Sequence, residues 1–313
     1  MRPARLLLVG SVLADVRMAV PSLPERGGDR LATRTDVQTG GGFNVLVAAV
    51  RNGLPAALAG RHGVGPFGAR VRQDLDAAGI PVLLDPDPDT DTGFSLTLIE
   101  PDGERTFVTS PGAESMLTGA RLAGVSARPD DAVYVSGYEL CYPDSGPAIA
   151  GWLDGLPEEA LLVFDPGPVA DEIPADLLAA VLARTGLLTL NRRETALLAG
   201  AGDPAGAVRA LAARLPARAR IVLRRGSRAS VAAEADRPDR LVRVPVPAVV
   251  ALDTTGAGDA HTGVLVAALG AGYDWPEALR RAGVGAAISV TRYGSATAPT
   301  AADIDAFEVA AGN

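Results

Sequence analysis

Lysine is missing from these 313 residues, and all 29 basic positions are arginine. A phosphate loop of the form G-x-x-x-x-G-K is therefore excluded, and any cation that meets a phosphate must be an arginine or a metal ion. The single cysteine, Cys141, excludes an internal disulfide and a cysteine zinc cluster. Two histidines, His62 and His261, leave little scope for a histidine metal site. No run approaches the ~20 apolar residues of a membrane span. The opening stretch Leu6-Leu-Leu-Val-Gly10 is too short for a signal peptide. A net charge of −8 argues against a general nucleic-acid surface. The expectation is a cytoplasmic protein with no membrane and no nucleic-acid partner. What is abundant is apolar: 48% of residues are hydrophobic, enough for the core of one large α/β domain over 1–313.

The chain opens with a buried-type strand, Arg5 to Gly10. Val16–Val20 and Leu31–Val37 read as strands of a small sheet, interrupted by proline and glycine. Asn44–Asn52 and Phe67–Ala78 have helical patterns stopped by Gly53 and Gly79, with a short strand, Ala56–Ala59, between them. Gly93–Ile99 and Glu104–Thr109 flank Pro101-Asp-Gly103, which predicts a hairpin. From Ala132 onward, apolar runs alternate with helical segments. The strands fall at Ala132–Ser136, Leu161–Phe164, Leu187–Leu190 and Arg220–Leu223, with helices near 144–154, 174–183, 193–199 and 204–214. Such alternation predicts a mostly parallel sheet covered by helices. Beyond Asp253 the chain reads as mostly helical, near 257–271, 275–291 and 302–310. The small sheet, from about 14–38 and 92–110, reads as an insertion that could act as a lid.

The segment richest in chemistry is Asp253-Thr-Thr-Gly-Ala-Gly-Asp-Ala-His-Thr-Gly263. It sets two carboxylates around a Gly-Ala-Gly turn that opens a helix. Unpaired N–H groups at a helix start form an anion site. An aspartate beside that site can take a proton from a hydroxyl while the amides hold developing charge. The ordinary alternative is a helix start with Asp and Thr caps. The segment resembles the second signature of the PfkB/ribokinase family of carbohydrate and nucleoside kinases. The resemblance implies a ribokinase-like α/β fold, Asp259 as catalytic base, and Gly256, Ala257 and Gly258 as the anion hole.

Other segments extend the resemblance over nearly the whole chain. Asp15 follows the first strand, where α/β sheets bind ligands, and by resemblance grips a sugar; Leu13 stands where ribokinases usually carry Asn. Thr39-Gly-Gly-Gly-Phe-Asn44 is similar to the family's first signature, which implies substrate contacts from Gly41, Gly42 and Asn44, although its Gly-to-Asn spacing is one residue short. Glu139, after the Ala132–Ser136 strand, falls where ribokinases carry a sugar-contacting Glu. Asn191-Arg-Arg-Glu194 is the family's Asn-x-x-Glu motif, linked to Mg²⁺ through water and to phosphate; it also reads as a capping box. Asn191, Arg224, Gly226 and Gly258 are expected on the nucleotide side; Arg224, Arg225 or Arg228 could pair with ATP phosphates, or the three could be an ordinary solvated arginine cluster. Ser289-Val-Thr-Arg292-Tyr-Gly294 resembles the segment that, with Asp253 and Thr255, holds a monovalent cation, so activation by K⁺ is expected. Gly63-Val-Gly-Pro-Phe-Gly68, followed by Asp85 and Asp87, also fits a dinucleotide fingerprint, but it lies off the first strand and Pro66 and Phe67 crowd it. In the kinase reading it is a family turn with Gly65 in the place of an Asp.

The expected activity is that of an ATP-dependent sugar kinase using Mg²⁺ and K⁺, with ATP and a small-molecule sugar as partners and a homodimer through the lid. Three alternatives stay open. A nucleoside kinase is weakened by 4% aromatics, although Phe43, Phe94 and Phe107 lie in or near the lid. A sugar-phosphate kinase would need cations near the sugar, and Arg17, Arg30, Arg34 and Arg105 are in lid segments. A non-catalytic sugar-binding protein of the same fold would be expected to have a damaged base or anion hole, and both are intact.

Overall fold

The computed structural model describes residues 2–200, 202–310 and 312. Its strands in chain order are β1 (Arg5–Val9), β2 (Val12–Ala19), β3 (Arg34–Gly41), β4 (Ala56–Ala59), β5 (Phe94–Ile99), β6 (Arg105–Ser110), β7 (Asp131–Ser136), β8 (Leu161–Asp165), β9 (Leu187–Leu190), β10 (Arg220–Leu223), β11 (Ser230–Glu234) and β12 (Val242–Val244). Eight of them form one sheet in the order β12-β11-β10-β9-β8-β7-β1-β4. Its pairings from β10 through to β4 are parallel, while β11 and β12 add antiparallel at one edge.

The interior strands are apolar on both faces because helices cover both. Leu6 and Leu8 of β1 join a core with helices Phe43–Arg51, Ala257–Ala271 and Trp275–Ser289. Leu7 and Val9 join the opposite core with helices Ser145–Leu153, Ala175–Arg184 and Pro204–Ala212. Period-two alternation sends neighbouring leucines to different layers. No described helix is long and apolar enough to cross a membrane.

The other four strands form a separate small sheet, β3-β2-β5-β6. Here β2 pairs antiparallel with β3 and parallel with β5, and β5–β6 is the hairpin around Pro101-Asp-Gly103. The expected elements are present with ends moved by a few residues. The largest change is in β3, which runs on to Gly41 and so delivers the glycine segment into the site. Sequence patterning missed β11 and β12. β11 is Ser-Val-Ala-Ala-Glu, with one β-branched residue, and β12 has only three residues. The short helices Gly119–Leu122 and Gly137–Cys141 were also missed.

The strand order reverses between β1 and β7, because the chain leaves β1 outward to β4 and later returns to build β7 through β10 on the other side. In open α/β sheets the crevice at such a switch, beyond the carboxyl ends of the strands, is the ligand site.

Candidate active site

A cavity of about 410 Å³ opens at that switch point. Its floor is made of strand ends: Ser11 after β1, Ser136 and Glu139 after β7, Asp165 ending β8, Asn191 after β9 and Arg224 after β10. The turn from Thr254 to Asp259 forms one wall, and Ser95, Arg105, Phe107 and Thr109 of the small sheet form another. Of the residues singled out by sequence, Asp15, Gly41, Gly42, Asn44, Glu139, Asn191, Glu194, Arg224, Thr255, Gly256, Ala257, Gly258 and Asp259 line this cavity. Asp253, Gly226, Ser289, Arg292 and Gly294 do not; Gly226 is exposed in the turn after β10.

Two glycines make the catalytic turn possible. Gly256 is the N-cap of helix Ala257–Ala271 at φ 73, a left-handed conformation, and a Cβ there would lie 2.0 Å from the Ser295 carbonyl. At Gly258 a Cβ would lie 2.3 Å from Arg224 Nη1. The helix can therefore start against a guanidinium, and its first residues, Ala257 and Gly258, line the cavity; the Ala257 amide makes only a long bond, 3.4 Å, to the Thr254 carbonyl.

Asp259 stands in the first turn of that helix. Its Oδ2 accepts from Asn44 Nδ2 at 2.9 Å, while Asn44 Oδ1 is buried without a partner among the described residues. The two meet because helix Phe43–Arg51 packs closely on helix Ala257–Ala271, where a Cβ on Gly263 would lie 2.5 Å from that of Ala48. Burial pushes the Asp259 carboxyl up to about 6; Asn44 and Arg224 oppose the rise, and Asp165 adds to it. At neutral pH it remains mostly ionised, yet it is a stronger base than an ordinary aspartate.

Asp165, Glu194 and Arg224 form a buried group beside the turn. Arg224 Nη2 lies 2.9 Å from Asp165 Oδ2 and 3.4 Å from Glu194 Oε2. Burial works against the guanidinium charge, but Asp165, Glu194 and Asp259 outweigh it and hold its pKa above the ordinary value. Arg224 Nη1 is buried with no hydrogen-bond partner among the described residues. Burial raises Glu194 to about 7, with Asp165 adding to the rise. Asn191 is also the cap of helix Arg192–Ala199, exchanging side-chain and backbone bonds with Glu194, so the capping and ligand readings are compatible. Asp165 was missed by sequence reading, although its place at a strand's carboxyl end was a usable signal.

On the acceptor side, Asp15 is buried and its Oδ1 accepts from Thr97 Oγ1 at 2.7 Å; burial raises its pKa. Gly41 is left-handed at φ 64, and the Gly42 amide donates to the Ser11 carbonyl at 3.0 Å, which fixes the register of this segment. Glu139 differs from expectation. Its Oε1 accepts from the Ser11 amide at 2.7 Å, and its Oε2 from the Ser136 amide and hydroxyl at 3.1 and 2.5 Å. Its first task is thus to tie the ends of β1 and β7 together, as a capping-box residue of helix Gly137–Cys141.

The Gly63–Gly68 turn lies outside the cavity. Asp91 accepts from the amides of Phe67 and Gly68 at 3.0 and 2.9 Å, filling the helix start a phosphate would need. A Cβ at Gly65 would lie 2.4 Å from Asp91 Cγ. Asp91 therefore occupies the space beside Gly65, and Asp87 pairs with Arg61 instead of facing a ribose.

The metal expectations fare differently. Among the described residues, no three acidic, histidine or cysteine side chains gather as a preformed metal cluster. Mg²⁺ does not require one, because it keeps several waters and takes one or two carboxylates plus phosphates. Asp165 and Glu194, two carboxylates that both lie beside Arg224, suit that role. The set expected to hold K⁺ is otherwise engaged: Asp253 Oδ2 is bonded to Arg17 Nη2, and the Ser289 carbonyl accepts from Thr297 Oγ1 at 3.0 Å. The Arg292 side chain turns outward to Asp303.

A family model described as pfkB family carbohydrate kinase matches residues 3–302. The chain is 31% identical over 297 residues to an uncharacterized sugar kinase, YegV, of Escherichia coli (strain K12), covering 94% of this chain and 91% of the relative. It is 30% identical over 313 residues to an ATP-dependent ribose-1-phosphate kinase of Halopiger xanaduensis, covering 97% of each. Among solved structures, the ribokinase of Giardia lamblia superposes with a TM-score of 0.83 at 22% identity, over 97% of this chain and 99% of that one.

Proposed function

This chain belongs to the pfkB family of carbohydrate kinases; on that premise we propose that it transfers the γ-phosphoryl group of ATP to a hydroxyl of a carbohydrate, with Asp259 as general base. One observation carries the reading. An aspartate with its pKa lifted to about 6 sits in the cavity wall, in the first turn of helix Ala257–Ala271 and beside an Asn44 amide that orients it. Asp259 removes the proton as the acceptor oxygen attacks phosphorus and the bond to the ADP oxygen breaks. The amides at Ala257 and Gly258, together with Arg224 Nη1, face the charge that develops on the transferring group. Asp15, Gly41, Gly42 and the free Asn44 Oδ1 orient the acceptor. Asn191 and Glu194, with Asp165, would hold Mg²⁺ through its water shell, and the ion when bound neutralises phosphate charge. Ser95, Arg105, Phe107 and Thr109 come from the small sheet, which acts as a lid that excludes water. Its edge strands β3 and β6 are free within the chain, and Phe107 and Val108 on β6 are exposed. These features support pairing of two lids in a homodimer.

A nucleoside acceptor is the second reading, supported by Phe107, Tyr138 and Tyr142 in the cavity lining, where a base could stack. The test is ADP release from Mg·ATP across pentoses, hexoses, sugar acids, sugar phosphates and nucleosides. A compound that stimulates release identifies the acceptor class. Stabilisation against heat by a sugar that never stimulates release would replace the kinase with a sugar-binding protein.

A further inference from the structure

Two arginines of the small sheet reach the loop that carries the catalytic turn. Arg17 lies in β2, is 5% exposed, and donates from Nη2 to Asp253 Oδ2. Its Nη1 lies 3.9 Å from Asp36 Oδ2 on β3. Arg105, at the start of β6, donates to the hydroxyls of Thr255 and Thr254 at 2.7 and 2.6 Å and stands 3.6 Å from Asp253 Oδ1.

Asp253 is the carboxylate expected to ligate a monovalent cation, and its oxygens are already occupied. Oδ1 accepts from the Thr255 amide at 3.0 Å; Oδ2 accepts from the Gly294 amide at 3.1 Å as well as from Arg17. The Asp253 side chain is 7% exposed and its counter-charge is a guanidinium, that of Arg17. The surrounding carbonyls also serve other donors: Ser289 O accepts from the Arg292 amide at 3.2 Å as well as from Thr297 Oγ1 at 3.0 Å. A K⁺ ion at Asp253 Oδ2 would sit beside the Arg17 guanidinium in a poorly hydrated site, where like charges repel strongly. The donor set does not fit K⁺.

We propose that the Arg17 guanidinium replaces the monovalent cation in this chain. It neutralises Asp253 and fixes the Asp253–Gly258 turn against Gly294 and Ser295, making the enzyme independent of K⁺. Arg17 is a positioning residue and touches no reacting atom. Its location adds a consequence, because Asp15 and Arg17 are two residues apart and share one face of β2. The strand that presents a carboxylate to the acceptor thus also carries the cation that orders the anion hole, so lid position and anion-hole order are coupled. A free ion could not supply that coupling.

The activity arm of the test rests on the kinase reading; the melting arm does not. Wild type and Arg17→Gln are melted, and assayed for acceptor-dependent ADP release, in potassium chloride and in choline chloride of equal ionic strength. Wild type is expected to behave alike in both salts. Arg17→Gln exposes Asp253 to solvent ions, so K⁺ at about 100 times its dissociation constant should raise its melting temperature by about 4 °C. Its turnover in choline should fall roughly tenfold or more and recover in K⁺. A wild-type melting temperature or turnover that rises with K⁺ would overturn the proposal, as would an Arg17→Gln protein that folds and ignores K⁺ in both measurements. If Arg17→Gln does not fold, Arg17→Lys keeps the charge and should remain indifferent to K⁺; dependence on K⁺ there would also count against it. Absence of ADP release from wild type in either salt would count against the kinase reading, while the melts still decide the cation.

Discussion

Asp259→Asn preserves the shape of the side chain and its ability to accept from Asn44, but it removes the base. Turnover should fall by roughly two to four decades, the usual contribution of a positioned general base. Stability should move the other way. Holding this carboxyl at about 6 against an ordinary 3.8 corresponds to about 3 kcal/mol against the charged form. The carboxylate keeps some contact with the solvent of the cavity, so that figure is an upper bound. In a chain of this length it translates to a melting temperature about 2–5 °C higher for the variant at pH 8. The sign follows from linkage. A carboxyl whose folded pKa exceeds its unfolded one destabilises the fold only when ionised. Below about pH 3.8 both states are protonated and wild type and variant should melt alike; between 3.8 and about 6 the gap opens, and above 6 it is complete. The same titration should give wild-type kcat/KM an acid limb near pH 6. Paired melts at pH 8 and pH 4, with ADP release at pH 8, measure all of this. Near-normal turnover in Asp259→Asn, or a variant less stable than wild type at pH 8, would refute the reasoning.

Gly258→Ala would press a methyl group to within 2.3 Å of Arg224 Nη1, displacing a guanidinium that Asp165 and Glu194 hold in place. Turnover should drop roughly 10- to 1000-fold with the far-UV circular dichroism unchanged; wild-type turnover would mean that Arg224 has no part in ordering the turn. Asp91→Ala removes the cap on the amides of Phe67 and Gly68 and should cost about 1–2 kcal/mol in urea unfolding, with turnover at 25 °C kept. A variant that stayed folded and lost nucleotide binding would instead make the Gly63–Gly68 turn part of the nucleotide site.

Much of the fold was readable because interior strands are apolar runs ended by a polar residue. Leu187–Leu190 followed by Asn191, and Arg220–Leu223 followed by Arg224, each give a strand and then a residue that lines the cavity. β11 and the edge strand β12 were invisible because Ser-Val-Ala-Ala-Glu has no period of its own and β12 has only three residues. In the site, the Gly-Ala-Gly turn stood out in the sequence as a local pattern, and the structure places it in the cavity wall; contacts between distant segments left no such mark. By contrast, Glu139 is consumed by Ser11, which is 128 positions away in sequence. Asp91 fills a helix start that Gly65 leaves open, and spacing alone cannot show that exchange.

The missing lysine is where composition and mechanism meet. With guanidinium as the chain's basic side-chain group, cationic contacts to the catalytic turn must use a planar fork that can be held by several partners at once. Arg224 is held by Asp165 and Glu194, with one edge left toward Gly258. Arg17 is held between Asp253 and Asp36, and comes from a strand 236 residues away in sequence. The turn from Asp253 to Asp259 is thus flanked by two buried guanidiniums, one anchored in the large sheet and one in the small sheet. In the proposed mechanism the large-sheet arginine faces the transferring group, and the small-sheet arginine is carried by the strand of Asp15, so movement of that strand would change the electrostatics behind the proposed anion hole. This division gives the two arginines separable signatures: Arg224 variants should be insensitive to added K⁺, whereas Arg17→Gln should respond to it.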